Sequence, residues 1–245
     1  VGCVWLGLPK VDNSGQGGLL DVAFDPDFSS NKTLYWTFSE EQQGGGNLMA
    51  LAKGTLSANE NKVENVQVIF RATPKLKSNL HYGSRIVFDK NGDMFVSTGE
   101  RSILEGRAQA PLLNSNLGKI FHLTKEGKPV ASNPFINQPG ANPEIYSYGH
   151  RNAQGLAFHP VTGDLWENEF GPRGGDELNI IKPGKIMDGR LLPMELNMVA
   201  KKLAMVIQRR MAWNNLFIIG TRYCRQAEWI FMRAMQFPNG KTIYL

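Results

Sequence analysis

The sequence is short of cysteine, with only Cys3 and Cys224 in 245 residues. Two cysteines cannot build a disulfide framework or a cysteine-rich zinc site. No apolar run approaches the roughly 18 residues of a membrane helix, so no bilayer span is expected. Before residue 185 no long segment has clean helical periodicity, which argues against a helix bundle or coiled coil. The chain opens VGCVWLGLPKVD, without an initiator Met or a basic n-region, so no signal peptide is visible. What is present is 42% hydrophobic, 20% charged and 10% aromatic. That is a globular composition, not a disordered or collagenous one, and the length allows a sizeable core.

The net charge of +5 belongs to one end. Residues 1–185 hold 18 Lys and Arg against 19 Asp and Glu, whereas residues 186–245 hold 9 against 3. The last stretch also has 7 of the 9 Met and only 3 of the 26 Gly. The basic excess is therefore no nucleic-acid signal for the whole chain.

Three segments repeat one pattern: GLLDVAFDPDFSSNKTLYWTFSE at 18–40, GSRIVFDKNGDMFVSTGE at 83–100 and AQGLAFHPVTGDLWENEFG at 153–171. Each is an apolar strand ending in Phe (Phe24, Phe88, Phe158), a polar turn and a second strand opening on Leu34-Tyr35, Met94-Phe95 or Leu165-Trp166. The turns DKNGD and HPVTGD carry hairpin chemistry. Further strand-like runs lie at Leu48–Leu56, Val63–Arg71, Lys119–Leu123 and Leu178–Ile181. A repeat of about 65 residues made of short antiparallel strands predicts an all-β fold of four-stranded propeller blades. A β-sandwich with similar hairpins is the alternative. Three blades do not close a ring of 4–8.

Four polar clusters fall at predicted strand ends: Gly15–Gly18, Leu80–Arg85, Tyr148–Gly155 and Glu169–Glu177. Equivalent loops of successive blades converge on one face of a propeller, so residues about 65 apart would meet. His81 is a natural proton acceptor near neutral pH, and the Arg151 fork suits a planar anion. Each also has a structural reading, His81 as a satisfied loop residue and Arg151 as a blade-locking ion pair. His122 and His159 read as structural, and His150 as a loop brace. Gly15–Gly18 precedes a strand rather than a helix, so it is no phosphate-binding loop.

On the motifs GQGGLLDVAFDPDF (15–28), LHYGSR (80–85), YGHRNAQGLAFHPVTGDLW (148–166) and EFGPRGGDELNIIKPGK (169–185), the chain resembles the soluble quinoprotein glucose/sorbosone dehydrogenase family, in particular its bacterial aldose sugar dehydrogenase branch. The resemblance implies a six-bladed β-propeller, of which about three blades are present. It implies oxidation of the anomeric hydroxyl of aldoses to lactones, with pyrroloquinoline quinone (PQQ) and calcium as cofactors. It makes His81 the general base and Arg151 a catalytic stabiliser of the reduced quinone. Gln16, Arg151 and Asn152 would contact the cofactor. Glu100 stands where the family often has Asp, as a cofactor-site carboxylate and partner of His81. The carbonyls of Gly171 and Pro172 would bind calcium. An aldose, an external electron acceptor and a periplasmic or secreted location complete what the resemblance implies.

The resemblance covers roughly residues 8–185 and then stops. The family continues PGK with NYGWP, whereas this chain reads PGK-IMDGR. Regrouping suitable codons by one base, from the last A of Lys185, turns IMDGR into NYGWP. The same regrouping carries residues 194–241 back to family-like text. Residues 1–185 are thus expected to form the partial propeller and residues 186–245 an out-of-frame tail. A basic, Met-rich helical appendage is the alternative, with amphipathic character at Leu196–Gln208.

Overall fold

The computed structural model describes residues 7–171 and 176–187. The expectations for Pro172 and for the tail from residue 188 onward lie outside the described residues.

Among the described residues eleven strands form three antiparallel meanders. The first sheet has the order β1 (Leu19–Phe24), β2 (Thr33–Glu41), β3 (Asn47–Leu56) and β4 (Val63–Arg71). The second runs β5 (Gly83–Phe88), β6 (Met94–Thr98), β7 (Lys119–Leu123) and β8 (Ile145–Tyr148). The third comprises β9 (Ala153–Phe158), β10 (Leu165–Glu169) and β11 (Glu177–Ile181). These are successive blades of a partial β-propeller. Their first strands are neighbours, β1 against β5 and β5 against β9.

The hairpin repeat is reproduced in register. Phe24 faces Leu34, Phe88 faces Met94 and Phe158 faces Leu165, each at the last position of its first strand. The expected runs match β3, β4, β7 and β11 to within a residue. The sequence gives no sign of β8, because its four residues follow a stretch broken by prolines and glycine. Two single-turn helices, α1 (Phe28–Asn31) and α2 (Leu104–Arg107), decorate the connections.

Strand alternation makes each middle sheet a two-faced layer. In β6 and β7, Met94, Val96, Phe121 and Leu123 face the first blade, and Phe95 and Ile120 face the third. Leu34, Trp36 and Phe38 of β2 pack on the far side of the first blade with Leu8 and Val11. Past β11, Ile186 bridges in parallel to Tyr148, and the Met187 amide donates to the Tyr148 carbonyl at 2.8 Å.

Candidate active site

The loop 78–85 enters β5 from the same end at which β1 and β9 begin, so one residue set from each blade reaches one place. Gln16, before β1, is anchored by its amide to the Asn79 carbonyl (2.8 Å), and its Oε1 accepts the His81 N–H (2.8 Å). Glu100 follows β6 and lies 2% exposed beneath His81, its Oε1 2.8 Å from Nδ1. Its Oε2 accepts the Ser102 amide at 2.8 Å, and its own N–H donates to the Arg151 carbonyl at 2.9 Å. Asn152 Oδ1 accepts the Gly83 N–H at 3.1 Å. The amides of Arg151 and Asn152 both donate to Glu169 Oε2, at 2.5 and 2.9 Å. Arg151 Nη1 donates to the Phe170 carbonyl at 2.6 Å. Gly171 is tied by its amide to Asp176 Oδ1 at 3.0 Å. The structure thus brings Gln16, His81, Glu100, Arg151 and Asn152 together, with Gly171 one residue beyond the Phe170 carbonyl held by Arg151. Both oxygens of Glu100 are engaged within the protein.

The backbone here is unusual. His81, Ser84, Arg101 and Ser102 adopt φ of 49°, 83°, 69° and 60°, the left-handed region that side chains avoid. Such outliers cluster where surrounding structure over-determines a functional geometry. Gly99 shows how tight the approach is: a Cβ there would stand 2.1 Å from the His81 carbonyl oxygen and 3.0 Å from Asn152 Oδ1. Arg101 provides much of the restraint. It lies 2% exposed, 3.9 Å over the Tyr82 ring. Its guanidinium donates to the Leu80 carbonyl (3.1 Å), to Asn47 Oδ1 (2.6 Å) and to the Ser78 carbonyl. Burial lowers its pKa, opposed by Tyr82 and nearby carboxylates. Nothing in the sequence singles out Arg101, because its partners are carbonyls that only the folded loop aligns.

The other histidines lie outside this constellation. His122 of β7 stacks on Phe95 at 4.2 Å, with Nδ1 2.9 Å from Asn133 Oδ1. His159 closes the β9–β10 turn by accepting the Val161 and Thr162 amides. His150 is fully buried, its Nε2 2.6 Å from Ser147 Oγ, and burial pulls its pKa down to about 3 with help from Lys119.

With Nδ1 held by Glu100, the free edge of His81 is Nε2, which has no hydrogen-bond partner among the described residues. The arrangement holds one ring nitrogen of His81 and leaves the other open. Comparison with known proteins sets it in context. Residues 5–186 match the glucose/sorbosone dehydrogenase family profile. The chain belongs to that family. Aldose sugar dehydrogenase YliI of Escherichia coli (strain K12) is 44% identical over 179 residues, 73% of this chain and 47% of that protein. Quinoprotein glucose dehydrogenase B of Acinetobacter calcoaceticus is 30% identical over 194 residues, 71% of this chain and 40% of that protein. A solved PQQ-bound aldose sugar dehydrogenase from Streptomyces coelicolor superposes with a TM-score of 0.60 at 34% identity, covering 73% of this chain and 49% of that one. The chain therefore spans less than half the length of these relatives.

Proposed function

We propose that the protein to which this chain corresponds is a PQQ-dependent aldose dehydrogenase. It would oxidise the anomeric hydroxyl to a lactone and pass electrons to an external acceptor. The observation that carries the reading is the Gln16–His81–Glu100–Arg151–Asn152 constellation, assembled from three blades on a strained backbone.

The donor set fits the cofactor. A planar, multiply anionic quinone suits the half-buried Arg151 guanidinium, which spends Nη1 on a carbonyl and keeps its other nitrogens unpartnered among the described residues. When bound, PQQ supplies a hydride acceptor, and calcium would polarise it as a Lewis acid. Calcium rests on the resemblance, with Gly171 and Pro172 as its carbonyl ligands. In the reaction His81 takes the hydroxyl proton at Nε2. Glu100 holds Nδ1 by its 2.8 Å contact and steadies the imidazolium that forms. Gln16 fixes the His81 backbone, and Asn152 fixes Gly83. Arg151 offers charge to the developing oxyanion.

A periplasmic or secreted location belongs to the same reading. So does the assignment of residues 186–245 as out-of-frame text, which the nucleotide sequence across codons 180–190 tests directly. A second reading applies to the 245-residue polypeptide alone. Three blades form only part of a cofactor pocket, so this chain is expected to bind ligands or partners with little turnover. The deciding experiment is steady-state oxidation of aldoses by a full-length, frame-restored protein with PQQ and calcium. Turnover in that protein and its loss in His81→Ala are expected. Unchanged turnover in the variant overturns the role of His81, and robust dye reduction by the 245-residue chain overturns the second reading.

A further inference from the structure

A second polar cluster, of which the dehydrogenase reading uses only the Glu169 contacts to the Arg151 and Asn152 amides, lies where the third blade meets the second. Strand β10 turns Leu165, Glu167 and Glu169 to one face and buries all three. Leu165 meets an ordinary apolar surface of Phe95, Ile120, Leu156 and Ile181. The two glutamates instead meet His150. Glu167 and His150 are 0% exposed and Glu169 is 6% exposed. One ligand-capable atom from each lies within 4.8 Å of the others.

The hydrogen bonds leave this pocket rich in acceptors and short of donors. Glu169 Oε2 takes the amides of Arg151 and Asn152. Glu167 Oε2 takes Asn179 Nδ2 at 3.1 Å, and the same nitrogen also donates to Glu177 Oε2 at 3.2 Å. Glu167 Oε1, Asn179 Oδ1 and His150 Nδ1 then have no partner among the described residues. Among the described residues no lysine or arginine forms an ion pair with Glu167 or Glu169. The buried Lys119 ammonium is occupied by the carbonyls of Gln109, Ala110 and Leu117. A buried acceptor left alone is costly, and an uncompensated carboxylate more so.

We propose that His150, Glu167 and Glu169 form a binding site for a first-row divalent cation of the Zn²⁺ or Mn²⁺ kind. One imidazole nitrogen with two carboxylates suits these ions. Calcium prefers six to eight oxygen ligands and is disfavoured by the imidazole. The site is separate from the calcium position expected at Gly171 and Pro172, whose ligands are carbonyls. An ion here ties β10 to the 149–152 turn and so steadies the turn that presents Arg151 and Asn152.

The test uses the 245-residue chain stripped with a chelator and titrated with Co²⁺, read by its visible absorption, with Zn²⁺ and Ca²⁺ as competitors. The expected result is one equivalent of Co²⁺, displaced by Zn²⁺ and at least tenfold less readily by Ca²⁺, with a raised melting midpoint. Glu167→Gln is expected to fold, since it keeps the shape of the buried side chain, and to lose at least tenfold in Co²⁺ affinity. Its fold is checked by circular dichroism and metal-free melting. His150→Gln gives an independent second variant. Absence of stoichiometric binding overturns the proposal and leaves a proton shared by the two glutamates as the account of the cluster. Equal affinity in both variants, or equal competition by Ca²⁺, also overturns it. None of these readouts depends on quinone or sugar.

Discussion

The two interfaces between consecutive blades are built from opposite materials. Between the first and second blades lie Tyr35, Met49 and Leu51 on one side and Ile86, Met94, Val96, Phe121 and Leu123 on the other, all buried. Between the second and third, the buried apolar set shrinks to Phe95, Ile120, Leu156, Leu165 and Ile181, joined by His150, Glu167, Glu169 and Asn179. The first interface is a core in the ordinary sense, where apolar burial supplies the stabilisation. The second gives up part of that burial to hold polar groups. Glu169 there caps the amides that set Arg151 and Asn152, so the cost falls where the candidate site needs positioned backbone. Burial raises the pKa of both glutamates, helped at Glu167 by the charge of Glu169 and at Glu169 by that of Glu177.

The largest effect is expected where all three blades meet. In the full-length, frame-restored protein, His81→Ala should lower kcat by roughly 10²–10⁴, the scale of a lost general base, while melting changes little. A fall in stability without a fall in kcat would reduce His81 to a loop residue.

Next comes the apolar interface. Phe121→Ala should destabilise by about 3–5 kcal/mol, since the ring is fully buried and tilts against Phe70 at a 4.9 Å centroid separation. Urea unfolding reads this directly, and a loss under about 1 kcal/mol would break the contrast between the two interfaces.

The polar interface should respond with the opposite sign. In metal-free protein Glu167→Gln should be neutral or stabilising, by up to about 3 kcal/mol, because it keeps the shape while removing a carboxyl that burial forces to hold a proton or an uncompensated charge. A marked destabilisation in the same unfolding assay would mean that the carboxylate is satisfied in a way its contacts do not show.

The smallest effect is an ion pair at the rim of the first interface. Lys125 of the second blade reaches Asp25 of the first at 2.9 Å. Burial pushes the Asp25 carboxyl up, but the Lys125 contact and the Asp27 amide outweigh it, and its pKa lies below the ordinary value. The sign follows from linkage. The unfolded chain protonates first as pH falls, so the contribution is present above about pH 3.9 and is lost as pH drops through the lower folded-state value. Asp25→Asn should cost about 1–2 kcal/mol at pH 7 and much less near pH 2. A difference that persists undiminished at pH 2 would assign the cost to packing.

Much of this architecture is local and so legible in the chain. Apolar alternation, a Phe closing each first strand and turns such as Asp89–Asp93 specify the hairpins before any tertiary contact forms. The repeat of these hairpins then specifies blades. The motifs around His81 and Arg151 also stand out in the chain, because they fall at the ends of the repeated hairpin strands. Strand β8 does not stand out, since four residues after a proline-broken stretch show no period and gain strand character only by pairing with β7. The left-handed backbone at His81 and Arg101 is equally silent in the sequence, as no turn motif marks it. Buried carbonyls around Arg101 and the Glu100 carboxylate impose it. The pattern Leu-Trp-Glu-Asn-Glu in β10 reads as a strand with one solvated face. Only the second blade, laid over it, decides that the glutamate face is the buried one. Periodicity fixes which residues share a face, but which face meets water is settled by what packs against it.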